Sequence, residues 1–423
     1  MRKPAFNPST GLTLLGVLLF ASPGAAVPDL PPVSHAPTPT PPDAATGPAQ
    51  QPYRHFADAG AGFWGPGREE PEPDPLPPTI KLGLFAPARG GDGRSAQQAA
   101  ELALAEANRA GGYRGRPFEL CFRPDDGPWG AATPRLVELA NQEGVWAAVG
   151  GLTGETAHLA ELVAAKLWLP VVVTWAPDRT IDYANVPWVF RVAPDDGQQA
   201  ELLLDRTLAW GLGLPLVLAA EHRDAGVALD RLTEAARRRG LPPPVSRRYS
   251  PAAPLAVLDE LVLTGAAAPG AVLVWGPARD AGRVLDALAR RGYAGLRLAP
   301  ATQASGAGLM REGLVVAAPY DLAMSTPAQD DFARRYHARF GSLPEPEAVL
   351  AYDAWQVLLA AIGEAGLNRA RIRDALAATR HRGLSGTLQF SSLGGSPTPP
   401  VLVQARAGRW QRLPTERTAA PTR

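Results

Sequence analysis

The chain has 423 residues, 46% of them hydrophobic, and a formal net charge of +1. That length accommodates two domains with real cores, and that apolar content belongs to a globular chain, not a disordered one. A charge balance this close to neutral gives no reason to expect a nucleic-acid partner or attraction to an anionic membrane.

The first element in chain order is an export signal. Arg2 and Lys3 give a positive start, Leu12 to Ala21 an apolar core, and Gly24-Ala25-Ala26 a small-residue cleavage region. Together they make residues 1–26 a secretory signal peptide. The apolar core is about half the ~20 residues of a membrane span. The mature chain is therefore expected to be periplasmic or secreted, with no direct membrane insertion after signal cleavage. The single cysteine, Cys121, excludes an internal disulfide and lies far from the signal, so it is not a lipid-attachment site. Within the strand Phe118–Phe122 it reads as a buried, inert thiol.

Residues 27–78 are Pro-rich and patternless, a composition that buries little and stays extended or disordered. Phe56, Phe63 and Trp64 interrupt it. They dock on the body or a partner, or else belong to a loosely attached tail, which composition favours.

The folded body begins at Ile80. Ile80–Phe85 is a strand, and Ala88–Arg94 a Gly-rich loop. Ser95 with Gln98 makes a capping box for a helix that stops at Gly111-Gly112. A strand at Phe118–Phe122, the loop Arg123–Trp129 and a helix opening at Thr133-Pro134 follow. Gly144–Ala176 is the stretch around which the rest is organised. It reads as the strand Val145–Val149, a loop through Gly154, a helix with Leu159, Leu162, Val163 and Leu167 on one face, and the strand Val171–Val173. This βαβ unit closes right-handed. Its loop falls beyond the carboxyl ends of the strands, where open α/β sheets bind ligands.

After Trp188–Val192 the pattern restarts. Strands at Leu216–Leu218, Val245–Tyr249, Ala271–Trp275 and Leu296–Ala299 alternate with helices from Asp196, at Val227–Arg239, Leu255–Leu263 and Ala278–Arg291. Two runs of β-α units mean two α/β lobes. The strand Leu314–Ala318, helices at Gln329–Phe340, Glu345–Ala365 and Arg371–Thr379, a final β region and a polar tail at 414–423 complete the chain.

From Ile80 to about Leu413 the segments resemble, in order, the type I periplasmic substrate-binding proteins of ABC importers, in the branched-chain amino-acid group. IKLGLFAP is similar to the family's first strand and turn, and AGGYRGRPFELCFRPDD to its Gly-Gly to Asp-Asp segment. VGGLTGETAHLA and LPVVVTWA are similar to its two ligand loops, and PWVFRVAPDDGQQA to its crossover. Gly341–Ala354 and Gly383–Phe390 are similar to its later helix and ending. The resemblance implies two Rossmann-like lobes joined by three crossovers, near Ala193, Ala318 and Gly383. Lobe 1 would be 79–193 plus 319–383, and lobe 2 would be 194–318 plus 384–413.

The resemblance also implies a ligand held between the lobes, with an α-carboxylate at Thr153-Gly154 and at Thr174-Trp175-Ala176. Thr153 or Thr156 would supply a hydroxyl, and capping of the helix by Thr156 or Glu155 is the competing role. The other half of the amino-acid clamp departs from the pattern. Ala225 stands in the place of an aromatic, Ala301 in that of an acid, and Pro277-Ala278 in that of a second aromatic. Trp129, Trp175 and Trp275, each just after a predicted strand, replace them as rings able to sandwich a flat or apolar ligand. Core packing is the alternative for each ring. Gly276 and the polar Glu155 and Asp224 complete the candidate ligand set.

No catalytic constellation emerges. The six histidines are scattered, with no metal-ligand spacing, phosphate loop or nucleophile elbow, so neither an enzyme nor a cofactor is expected. His158 reads as a satisfied structural histidine and Asp125-Asp126 as a solvated loop. The expected role is capture of a small amino-acid-like or aromatic ligand for an ABC transporter permease. The alternative is a sensing or accessory module of an envelope receptor or redox system.

Overall fold

Helices cover both faces of the first sheet, which is why its inner strands at Ala148–Gly150 and Val171–Val173 are wholly apolar and buried. This computed structural model describes residues 63, 65–126, 130, 132–304 and 310–413. The expected signal peptide, Phe56, Trp64, Trp129 and the 414–423 tail lie outside the described residues. Strands β1 (Ile80–Ala86), β2 (Phe118–Pro124), β3 (Ala148–Gly150), β4 (Val171–Val173) and β5 (Val189–Arg191) pair in parallel, in the order β2-β1-β3-β4-β5. Successive β1 side chains go to opposite faces. Leu82 and Leu84 meet the core of α1 (Gly91–Arg109) and α9 (Pro346–Ala365), while Phe85 meets that of α2 (Ala132–Val137) and α3 (Gly154–Leu167). Each fully buried Leu or Phe contributes about 1.5–3 kcal/mol. Although α9 is long and apolar enough to span a bilayer, it is mostly buried as the core helix of this lobe.

The second sheet contains β6 (Leu216–Ala220), β7 (Ser246–Tyr249), β8 (Ala271–Trp275), β9 (Leu296–Pro300), β10 (Val315–Ala318), β13 (Val401–Arg406) and β14 (Arg409–Arg412). Their order is β14-β13-β10-β9-β8-β6-β7, with β13 and β14 antiparallel to their neighbours. Its core is shared with α5 (Asp196–Ala209), α6 (Arg223–Arg238) and α7 (Ala278–Arg290). Among the described residues the chain passes between the lobes three times: from β5 to α5, from β10 to α8 (Pro327–Phe340), and before β13. The short α4 (Thr180–Ala184), α10 (Arg369–Ala377) and the hairpin β11 (Arg380–Arg382) with β12 (Thr387–Gln389) belong to the first lobe's side.

Local departures from the sequence reading have physical causes. Helix α1 starts at Gly91, not Ser95, because Gly93 has no side chain to strike the Pro87 carbonyl. Ser95 is buried mid-helix, and Gln98 accepts a hydrogen bond from Tyr336 Oη at 2.7 Å. On α3 it is Ala157, Ala160, Val163 and Ala164 that face the sheet, while Leu162 is exposed. These small side chains let the helix lie close. The helix expected at Leu255–Leu263 is a single 3-10 turn at Ala256–Glu260, which buries only Val257 and Leu258. Residues 384–390, assigned by sequence to the second lobe, pack on the first. Asp353 accepts the Leu384 and Ser385 N–H groups at 2.7 and 2.8 Å, Leu388 is buried in the first core, and Phe390 lies 5.1 Å from Phe190.

The end of the Pro-rich segment is a strap, not a loose tail. Glu72 accepts from Tyr113 Oη (2.5 Å), Arg114 Nη1 (2.7 Å) and Leu367 N (2.9 Å). Asn368 Nδ2 donates to the Gly67 and Glu70 carbonyls, and Phe63 sits edge-on to buried Trp188 at 5.6 Å. Proline removes backbone freedom and donors, so such a segment anchors through side chains and carbonyls instead of secondary structure.

Candidate functional site

The carboxyl ends of β3 and β4 in one lobe face those of β6 and β8 in the other, as topological switch points do in open α/β sheets. After β3 the chain enters α3 through Thr153. Thr153 Oγ1 accepts from Thr156 N at 3.2 Å, and Thr156 Oγ1 accepts from Thr153 N at 3.3 Å, a reciprocal cap. Both hydroxyls therefore serve the helix. After β6, α6 starts four residues earlier than the sequence suggests. His222 is its N-cap, with Nδ1 accepting from Asp224 N at 3.3 Å, and residues 223–226 form its first turn.

The two helix starts meet across the cleft. Asp224 Oδ2 accepts the Gly154 N–H at 3.1 Å. Arg223 reaches Asp178, and also donates to Thr180 Oγ1 and Asp224 Oδ1, each at 3.2 Å. Glycine is required at 154, since a Cβ would lie 2.5 Å from Asp178 Oδ2 and 2.6 Å from Asp224 Oδ1. A charged acceptor at a helix N-terminus is favoured by the macrodipole, and a hydrogen bond to a charged group contributes about 1.5–3 kcal/mol.

Behind this bridge His158 donates or accepts at both ring nitrogens: Nδ1 to Glu161 Oε2 at 2.5 Å, Nε2 to Thr180 Oγ1 at 2.7 Å and Asp178 Oδ2 at 3.3 Å. Burial disfavours its charge, but the Asp178 and Glu161 carboxylates overcome that and push its pKa up to about 9. Burial alone would raise Asp178. Hydrogen bonds from His158, Thr180 and Arg223 instead hold it well below the usual carboxylate range.

Beside the bridge lies a cavity of about 170 Å³ walled from both lobes. Leu152, Trp175 and Pro177 come from the first, and Ala225, Trp275 and Pro277 from the second. Both indoles are nearly buried, at 5% and 4% exposure, so the rings serve as walls instead of surface decoration. The polar wall is Asp92, Thr153, His222, Asp224 and Thr302. Burial raises the Asp92 pKa, against a lowering hydrogen bond with Glu347 behind it. Among the described residues no cluster of His, Cys, Asp and Glu could hold a metal ion.

A family model described as periplasmic binding protein matches residues 79–408. The chain belongs to the periplasmic binding protein family. Solved structures share its fold across whole chains. The isoleucine-bound branched-chain amino acid transporter substrate-binding protein LivJ of Streptococcus pneumoniae is 19% identical, with 79% of this chain and 98% of that one covered and a TM-score of 0.69. A Rhodopseudomonas palustris BisB5 solute-binding protein in complex with 3,4-dihydroxybenzoic acid is 19% identical, with 80% and 96% covered and a TM-score of 0.70. A putative branched-chain amino acid ABC transporter protein of Rhodospirillum rubrum is 24% identical, with 79% and 100% covered and a TM-score of 0.60. At these identities the likeness is one of fold. No curated protein matches the chain.

In this binding protein the candidate residues divide. Thr153, Trp175, Asp224, Trp275 and Gly276 line the cavity. Gly154 is at the bridge. Glu155, Thr156, Thr174 and Ala176 are not in the wall; Ala176 N donates to Gly151 O at 3.3 Å, and Thr174 is buried. Trp129 lies outside the described residues. Sequence reasoning missed Asp92, Leu152 and Pro177, along with His222 and Thr302 as wall residues. An acid between two glycines just after the first strand was the available signal for Asp92. Asp125 is not solvated as expected: it is buried, both carboxylate oxygens lack a partner among the described residues, and burial together with Asp126 pushes its pKa up to about 7. Cys121 is buried as expected, with its thiol pKa raised by burial.

Proposed function

We propose that the chain is an exported solute-binding protein that captures a small amino-acid-like or aromatic ligand between its lobes and delivers it to an ABC importer through the permease. The single observation that carries this reading is the cavity closed by Trp175 from one lobe and Trp275 from the other. A ligand there touches both lobes only when they are together, so binding favours closure. The ligands of the solved relatives, isoleucine in one case and 3,4-dihydroxybenzoic acid in another, support a small solute as cargo. The signal pattern of residues 1–26 supports export to the periplasm.

Small-angle scattering and thermal melting with a broad metabolite panel test this. Capture predicts a ligand that raises Tm and narrows the population to compact forms. A panel that changes neither contradicts it. The Asp224–Gly154 bridge, which ties the lobes through the protein's own groups, favours a second reading as an accessory or sensing module. That reading predicts co-purification with an envelope partner, lost when residues 27–78 are deleted.

A further inference from the structure

We propose that the ligand of this cleft is a compact organic amine or ammonium ion with an apolar body and no carboxylate. The inference rests on the capture reading above and narrows it. Its first support is that groups suited to a ligand carboxylate are already engaged. The Gly154 N–H donates to Asp224, a carboxylate supplied by the protein's own second lobe. The Thr153 and Thr156 hydroxyls cap each other's backbone. A ligand carboxylate at this helix start would face Asp224 as a like charge, at a cost in a poorly solvated gap.

The second support is the charge of the wall. Among the described residues it carries two acids, Asp92 and Asp224, and no lysine or arginine. Arg223, behind Asp224, is engaged with Asp178 and Thr180 as well as Asp224. Asp92 neighbours a second carboxyl, that of buried Glu347. Two close carboxyls repel when both are ionised, and a ligand ammonium beside Asp92 relieves that repulsion.

The third support is shape. Tryptophan faces attract cations by their quadrupole and accept apolar bodies by contact. A cavity of about 170 Å³ is close to one of ~150 Å³ that holds a single benzene ring.

The test is calorimetry on the full chain with matched pairs that differ in the charged group: 3-methylbutylamine against leucine, and benzylamine against benzoate. The expected result is saturable binding of the amines, at least about tenfold tighter than of the matched acids. Asp92→Asn, close in size and shape, weakens the amines about tenfold or more. Asp224→Ala frees the Gly154 N–H and admits benzoate, a gain that misfolding does not produce. Acids binding as tightly as amines, or amine binding indifferent to Asp92→Asn, overturns the inference and leaves capture standing. If the amines are silent while a neutral or anionic solute from a wider panel binds, this inference again fails alone. If nothing in that panel binds or shifts Tm, capture fails with it.

Discussion

Asp224 and Gly154 stand at the first turns of helices in different lobes, and the carboxylate of one accepts the amide hydrogen of the other at 3.1 Å. The contact depends on the missing side chain at 154, where Asp178, Asp224 and Arg223 all crowd the place of a Cβ. Gly154→Ala is therefore expected to part the lobes without harming either core. Scattering should show a larger radius of gyration than wild type, and Tm should fall. Asp224→Asn keeps the acceptor oxygen and the volume, so its profile should stay near wild type. An unchanged profile for Gly154→Ala would show that the bridge does not hold the lobes.

His158 gives the pH dependence its sign. Its folded pKa of about 9 lies above its ordinary 6.5, so the charged ring stabilises the fold fully below pH 6.5, and that contribution is lost as pH rises through 9. Removing it with His158→Gln should cost about 1–2 kcal/mol near neutral pH. The gap in Tm between wild type and variant should narrow between pH 7 and 10. A gap that is constant over this range contradicts the charged pair with Asp178 and Glu161.

The fold was largely legible in the sequence because its signals are local and repeated. Val171–Val173 and Ala271–Trp275 can only be covered strands, and the β-α alternation around them orders two sheets. Trp175 and Trp275 were legible as wall candidates because each stands at or just beyond the carboxyl end of a strand. Asp92 and the bridge were not. Asp224 meets Gly154 across 70 positions of sequence, and no periodicity encodes a contact between lobes. The start of α6 was read late because His222 is a rare cap whose imidazole takes the role usually given to Ser, Thr, Asp or Asn. The strap escaped because Glu72 anchors it through single side-chain contacts, which leave no pattern.

The strap yields a stability prediction. Glu72→Ala removes the acceptor shared by Tyr113, Arg114 and the Leu367 amide. Unfolding by denaturant should show a loss of about 1–3 kcal/mol. Glu72→Gln should lose less, since it retains one acceptor oxygen. Equal stability of all three proteins would mean that the segment is not docked in solution.

The central claim is that the cavity between Trp175 and Trp275 receives a solute. Intrinsic tryptophan fluorescence of the full chain, titrated with the amines and acids above, tests it most directly when repeated on Trp175→Phe and Trp275→Phe. The account predicts a saturable change in the wild type, reduced in each variant, with affinity weakened about tenfold or more. A saturable change that both variants keep in full, at unaltered affinity, would place the solute elsewhere and contradict the account.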